Sequence, residues 1–272
     1  MGKTFGDICA RLVVLVVLMV LVGCSSEVRQ GTGEDTEPAT HRVPTTVHRT
    51  DGAEDETTAT GPRAGWDYVA LGDSLAVGIG ARQGYVERYA GHLRGDTGVR
   101  LRVINLGISG QTSSQLLRSL RNHSSVRKTL GEAEVVTLDI GINDLGRAQG
   151  SYEAGTCGGA RNRRCLRAAV EALEENWDAI MGEISGLSSP DETVVRTAGL
   201  GYTPRAGRVF RPYLREANRH IASSAQDAGV PYTEVHLDDQ EISPDGLHPN
   251  DRGYEEIAGR LQELGYEPLR PR

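Results

Sequence analysis

The chain has 272 residues, with 30 Lys and Arg against 37 Asp and Glu, a formal net charge of −7 and a pI near 5.6. It carries no basic cluster able to neutralise a phosphate backbone, so nucleic acid is not an expected partner.

The first 23 residues do not read as part of a folded domain. Lys3 and Arg11 make a weakly basic start, and Leu12 to Val22 is an unbroken apolar run of eleven residues. At 1.5 Å per residue this run is too short for a hydrocarbon core of about 30 Å, and it fits the apolar region of a secretory signal. The sequence Leu21-Val22-Gly23-Cys24 resembles the lipobox of bacterial lipoproteins. That resemblance makes residues 1–23 a lipoprotein signal peptide and Cys24 the diacylated N-terminus of an exported protein. The alternative is an ordinary signal peptide that ends near a cysteine.

Residues 24–65 read as a disordered tether. From Ser25 to Gly65 there is no aromatic residue, only three valines, and eight acidic against four basic side chains. Such a segment buries too little apolar surface to offset its ordering entropy. As a flexible coil its 41 residues span roughly 35 Å r.m.s.. That length can hold a domain clear of a membrane, or it can serve as a spacer with no other role.

Residues 66–272 have the size of one α/β domain. Short runs rich in Val, Ile and Leu predict strands over Asp67–Leu71, Arg100–Leu106, Glu134–Ile140, Thr193–Ala198 and Tyr232–Leu237. Between them, helical spacing places Leu166, Val170, Leu173, Trp177, Ile180 and Ile184 on one face. A second helix carries Leu214, Ala217, Ile221 and Ala225, and a third, capped by Asn250, carries Tyr254, Ile257, Ala258, Leu261 and Leu264. Weaker helical patterns cover Gln83–Leu93 and Thr112–Leu120. Alternating strands and helices imply a mostly parallel sheet covered on both faces, with a ligand site beyond the carboxyl ends of the strands.

Polar motifs stand at those strand ends: Gly72-Asp73-Ser74-Leu75, Asn105-Leu106-Gly107-Ile108-Ser109-Gly110, Gly141-Ile142-Asn143-Asp144, and Asp245-Gly246-Leu247-His248 before the last helix. Each alone reads as turn or helix-start chemistry. Together they supply a complete acyl-transfer set. His248 can take the proton of the Ser74 hydroxyl, and Asp245, three residues earlier, can orient the imidazole. The backbone N–H groups of Ser74 and Gly107 and the Asn143 amide can receive an oxyanion. A glycine at 107 suits close backbone approach to a substrate. Asp73 fits a helix cap and Asp144 a loop brace, while His236, near Asp238 and Asp239, is the rival base.

With these four blocks in order, the chain resembles the GDSL or SGNH hydrolase family of esterases, lipases and acetylesterases. The resemblance implies a three-layer α/β/α flavodoxin-like sandwich with a five-stranded parallel sheet. An α/β-hydrolase is disfavoured, because Ala76 replaces the second glycine of G-x-S-x-G and Ser74 follows the first strand. Cys157 and Cys165 lie outside the blocks, in a Gly/Arg-rich insertion from Gly155 to Arg164. Export favours a disulfide between them, worth about 2.5 kcal/mol by loop-closure entropy, over two free thiols or half a metal site.

The resulting expectation is a monomeric, exported, lipid-anchored serine hydrolase that needs no metal or organic cofactor. Its ester could come from a lipid, an acetylated polysaccharide or a small acyl compound. The stretch Gly199–Arg211, with Tyr202, Pro204 and Phe210, either lines the substrate pocket or is an ordinary surface loop. The alternatives are a carbohydrate O-acetylesterase, which the scarcity of Phe and Trp mildly favours, and a non-catalytic binding lipoprotein on the same scaffold.

Overall fold

Apolar residues alternate along the first strand, and the fold follows from where each set goes. The computed structural model describes residues 65–159, 161–201 and 207–269. The expected signal, the tether as far as residue 64, Cys24, Tyr202 and Pro204 lie outside the described residues, and Gly65, expected as the tether's last residue, already belongs to the first strand. In β1 (Gly65–Gly72), Val69 and Leu71 enter one buried cluster, while Trp66, Tyr68 and Ala70 enter another on the opposite face. This is the two-residue side-chain period of a strand buried on both sides.

β1 pairs in parallel with β2 (Arg100–Asn105) and β3 (Val135–Asp139). β3 pairs with β4 (Val194–Ala198), and β4 with β5 (Tyr232–Thr233). The spatial order β2-β1-β3-β4-β5 is the doubly wound flavodoxin-like order, whose ligand crevice lies at the β1/β3 switch point. Between and after the strands run α1 (Ser74–Val77), α2 (Tyr85–Thr97), α3 (Ser113–Asn122), α4 (Ser124–Gly131), α5 (Ile142–Glu153), α6 (Arg164–Leu187), α7 (Arg211–Asp227) and α8 (Asp251–Glu263). Helices α3, α5, α6 and α7 bury their apolar stripes on one face, and α2 and α8 cover the other. Among the described residues no helix is long and apolar enough to cross a membrane.

The expected Asn250 cap is present, its side chain accepting from the N–H groups of Arg252 and Gly253. Three departures have physical causes. β5 stops at Thr233 rather than Leu237, because the edge strand pairs with β4 only through Tyr232 and Thr233. The buried Val235 and Leu237 then pack in a loop leading to the last polar motif. Helix α5 is not announced by sequence, since Gly146 and Gly150 interrupt its apolar spacing and it buries only Leu145 and Ala148. Helix α4, unannounced for the same reason, buries Leu130 alone.

Cys157 and Cys165 are joined as a disulfide, with Cα atoms 5.3 Å apart. Cys165 lies in the first turn of α6 and its Sγ faces the Ala148 carbonyl of α5. The insertion therefore ties the end of α5 to the start of α6.

Candidate active site

The chain leaves β1 through Gly72 and enters the one-turn helix α1, with Ser74 as its first residue and Asp73 as its N-cap. Asp73 Oδ1 accepts the Leu75 N–H at 3.1 Å, which satisfies one of the donors that a helix start leaves open. The Ser74 side chain is buried, and its Oγ lies 2.9 Å from His248 Nε2. His248 comes from the 241–250 loop, which is closed on itself by Ser243 N–H donating to the His248 carbonyl at 2.8 Å and Asn250 N–H donating to the Glu241 carbonyl at 2.8 Å.

Inside that loop, Asp245 Oδ1 accepts the N–H groups of Leu247 at 2.8 Å and His248 at 2.9 Å, and Oδ2 lies 2.7 Å from His248 Nδ1. Gly246 adopts φ 77° between them, a left-handed conformation that favours glycine. Desolvation alone would raise the Asp245 carboxyl. The hydrogen bonds from Leu247 and His248 outweigh it and hold the group well below the usual carboxylate range. An ionised Asp245 selects the imidazole tautomer that donates from Nδ1, which leaves Nε2 as the acceptor facing Ser74. A hydroxyl, imidazole and carboxylate so aligned can generate an alkoxide-like nucleophile.

Of the expected oxyanion donors, two have partners within the protein. Gly107 N–H donates to Asn105 Oδ1 at 2.9 Å. Asn143 Nδ2 donates to Asp73 Oδ2 at 3.1 Å and to the Gln111 carbonyl at 3.0 Å. Asn105 was not singled out by sequence, yet its Nδ2 also donates to the Ala76 carbonyl at 2.6 Å. It thus couples the glycine block to α1. The structure shows a cause for glycine at 107 within the fold itself. A Cβ there would lie 2.7 Å from Ala76 Cβ and 3.2 Å from the Val77 nitrogen, so the close approach is to α1, the helix that carries Ser74.

The remaining candidates separate cleanly. Asp144 Oδ2 and Oδ1 accept the backbone N–H and hydroxyl of Ser113 at 2.9 and 2.8 Å, bracing the start of α3, and burial raises its carboxyl. The rival base His236 is exposed and faces Glu234 at 3.9 Å. Burial pushes the Asp73 carboxyl up to about 6. Asp139, at the end of β3, is a buried acid that the sequence reading passed over. The signal was an aspartate closing the otherwise uncharged buried run Val135-Val136-Thr137-Leu138.

Ser74 and His248 open onto a cavity of about 400 Å³. Its inner wall is apolar, built from Ile140, Leu200, Phe210, Leu214 and Leu237. The described ends of the 199–211 stretch therefore line the cavity. Among the described residues, the exposed large hydrophobic ones are Val77, Ile79, Ile108 and Leu247. Of these, Leu247 lines the cavity beside His248.

A family model described as the GDSL-like lipase/acylhydrolase family matches residues 70–256. The spore germination lipase LipC of Bacillus licheniformis is 26% identical over 213 residues, covering 74% of this chain and 97% of that protein. The solved structure of the lipase Lip_vut3 from a goat rumen metagenome aligns with a TM-score of 0.64 at 25% identity, covering 75% of this chain and 99% of that one. The acetylxylan esterase Axe2 of Geobacillus stearothermophilus aligns with a TM-score of 0.57 at 21% identity, covering 77% and 98%. At that identity the likeness speaks to fold alone.

Proposed function

The chain belongs to the GDSL-like lipase/acylhydrolase family, and from that premise we propose that it is an exported, lipid-anchored esterase acting on carboxylic esters with apolar acyl chains through an acyl-enzyme on Ser74. The observation that carries this reading is the Ser74–His248–Asp245 chain of 2.9 and 2.7 Å contacts at the mouth of an apolar cavity. Ser74 Oγ attacks the ester carbonyl carbon while its proton passes to His248 Nε2. The tetrahedral intermediate collapses, the C–O bond to the alcohol breaks, and the alkoxide leaves with the proton from His248. Water then repeats the sequence on the acyl-enzyme and releases the acid.

Ser74 N–H, Gly107 N–H and the Asn143 amide are the proposed oxyanion donors. Hydrogen bonds to a charged acceptor are roughly twice as strong as neutral ones. A developing oxyanion therefore outcompetes the neutral acceptors Asn105 Oδ1 and the Gln111 carbonyl that hold two of these donors in the free protein.

The apolar wall, with Leu247 beside His248, favours an acyl chain longer than acetyl. Each buried methylene contributes about 0.8 kcal/mol, so two add roughly a tenfold preference. On a series of p-nitrophenyl esters from acetate to dodecanoate, kcat/KM is expected to rise by about tenfold or more from acetate to butyrate. Activity confined to acetate would replace this reading with the carbohydrate O-acetylesterase alternative, the activity named for the solved Axe2 structure. No turnover of any ester would favour a binding lipoprotein.

Support for the location comes from the apolar run ending at Cys24 and from the Cys157–Cys165 disulfide, which suits an oxidising compartment. In a bacterial host, the full chain is expected in the membrane fraction and its Cys24→Ala variant in the soluble fraction. Membrane association undiminished by the substitution would refute the anchor.

A further inference from the structure

Below the proposed nucleophile lies a buried carboxyl that the ester reaction does not consume. Asp139 ends β3 opposite Gly72 of β1, and its Oδ2 accepts the Tyr85 hydroxyl of α2 at 2.5 Å. Tyr85 belongs to the cluster on the α2/α8 face of the sheet, so the bond connects that layer to the turn carrying Ser74. The Asp73 backbone N–H also stabilises the Asp139 carboxylate. No side chain fits between the two segments. A Cβ on Gly72 would lie 2.5 Å from the Asp139 carbonyl oxygen and 2.7 Å from Oδ2.

Asp73 continues the connection upward, with Oδ1 on the Leu75 N–H and Oδ2 on Asn143 Nδ2, both at 3.1 Å. Tyr85 thus holds Asp139 against the Gly72–Asp73 turn, and Asp73 in turn holds Asn143.

We propose that Asp139 and Tyr85 are positioning residues for the ester reaction: they pin the Gly72–Ser74 turn from below and, through Asp73, aim the Asn143 amide at the oxyanion. The inference rests on the esterase reading and extends it to two residues outside the four sequence blocks. Charge supports the division of labour. Burial, and then the nearby Asp73 charge, raise Asp139 well above the usual carboxylate range, while Asp73 is raised only to about 6. Asp73 is the member of the pair that holds the amide. An ionised Asp73 makes the bond to Asn143 charge-assisted, while Asp139, whose charged form burial disfavours, serves as the brace beneath it. Two ionised carboxylates so close in a buried site would repel each other and lack solvation.

The test compares Asp139→Asn, Asp139→Leu and Tyr85→Phe with wild type in the full chain, reading kcat and KM on p-nitrophenyl butyrate and fluorophosphonate labelling of Ser74. An asparagine keeps a group of the same size whose oxygen can still accept the Tyr85 hydroxyl, so Asp139→Asn is expected within about threefold of wild-type kcat. Misplacing reacting groups by about 1 Å costs roughly 100-fold. Asp139→Leu and Tyr85→Phe are therefore expected to lose about 10- to 100-fold in kcat with KM within about twofold. A structural role alone would not produce rescue by asparagine together with a loss confined to kcat.

The proposal is overturned if Tyr85→Phe keeps kcat within about twofold of wild type, or if Asp139→Asn is as impaired as Asp139→Leu. Should Asp139→Leu fail to fold, Tyr85→Phe decides, since it removes one oxygen and no packing volume. Absence of labelling in the wild type would overturn the esterase reading and this proposal with it. Normal labelling and turnover in the wild type keep the reading intact whatever the variants do.

Discussion

Replacing Ser74 with alanine is expected to lower kcat by about 10⁴-fold or more, while KM and the thermal midpoint stay close to wild type. The substitution removes one buried oxygen whose contact is His248 Nε2 at 2.9 Å. No packing partner is lost, so the effect concentrates on the chemical step. At 1.36 kcal/mol per tenfold, such a loss is about 5.5 kcal/mol of transition-state stabilisation. Residual hydrolysis would come from the oxyanion donors and the cavity. The measurements are steady-state kinetics on a soluble butyrate ester and fluorophosphonate labelling of the purified protein. Labelling that survives in Ser74→Ala, or a rate loss below about 100-fold, would remove Ser74 from the role of nucleophile.

Replacing Asp245 with asparagine is expected to cost about 10⁴-fold in kcat as well, through a different physical route. Asp245 Oδ1 is held by two backbone N–H groups, those of Leu247 and His248. In the variant those donors keep the amide oxygen in place and turn its NH₂ toward His248 Nδ1. Nδ1 must then accept, so the ring proton moves to Nε2 and faces Ser74 Oγ, where an acceptor is required. The loop itself is expected to persist, because its closing bonds, Ser243 N–H to the His248 carbonyl and Asn250 N–H to the Glu241 carbonyl, do not involve the carboxylate. A pH–rate series on the variant should show the loss across the whole range over which wild-type Asp245 is ionised, given its depressed carboxyl. A decrease of less than about tenfold would show that another group orients His248.

The parts of the site legible in sequence were those with local causes. Turn and cap chemistry marks the strand ends, so Ser74, Gly107, Asn143, Asp245 and His248 stand in short motifs that can be read one at a time. Asp245 and His248 are three residues apart, and one closed loop brings them together. Strand and helix periods likewise exposed the alternating architecture, most clearly in α6, where the apolar residues from Leu166 to Ile184 are buried as spaced. Elements with little buried apolar surface left no comparable trace, which is why α4, α5 and the early end of β5 were not legible.

Long-range causes account for the remainder. The roles of Asn105, Tyr85 and Asp139 arise from contacts across 29 to 54 positions of chain, and no short pattern records them. The reason for glycine at 107 is similar. Its backbone setting was readable, but the neighbour it must avoid, Ala76, belongs to another segment.

By itself the sequence pointed to the candidate residues in short turn and helix-start motifs, because side-chain reactivity and turn preference are properties of a few consecutive residues. Tertiary structure alone decided that Ser74 meets His248 across 174 positions, that an apolar cavity opens beside them, and that the buried Asp139 lies against the Gly72 turn. Those outcomes depend on the β2-β1-β3-β4-β5 strand order and on how the helices close over both faces. Packing fixes which distant atoms share the low-dielectric space where a hydroxyl, an imidazole and a carboxylate can act together.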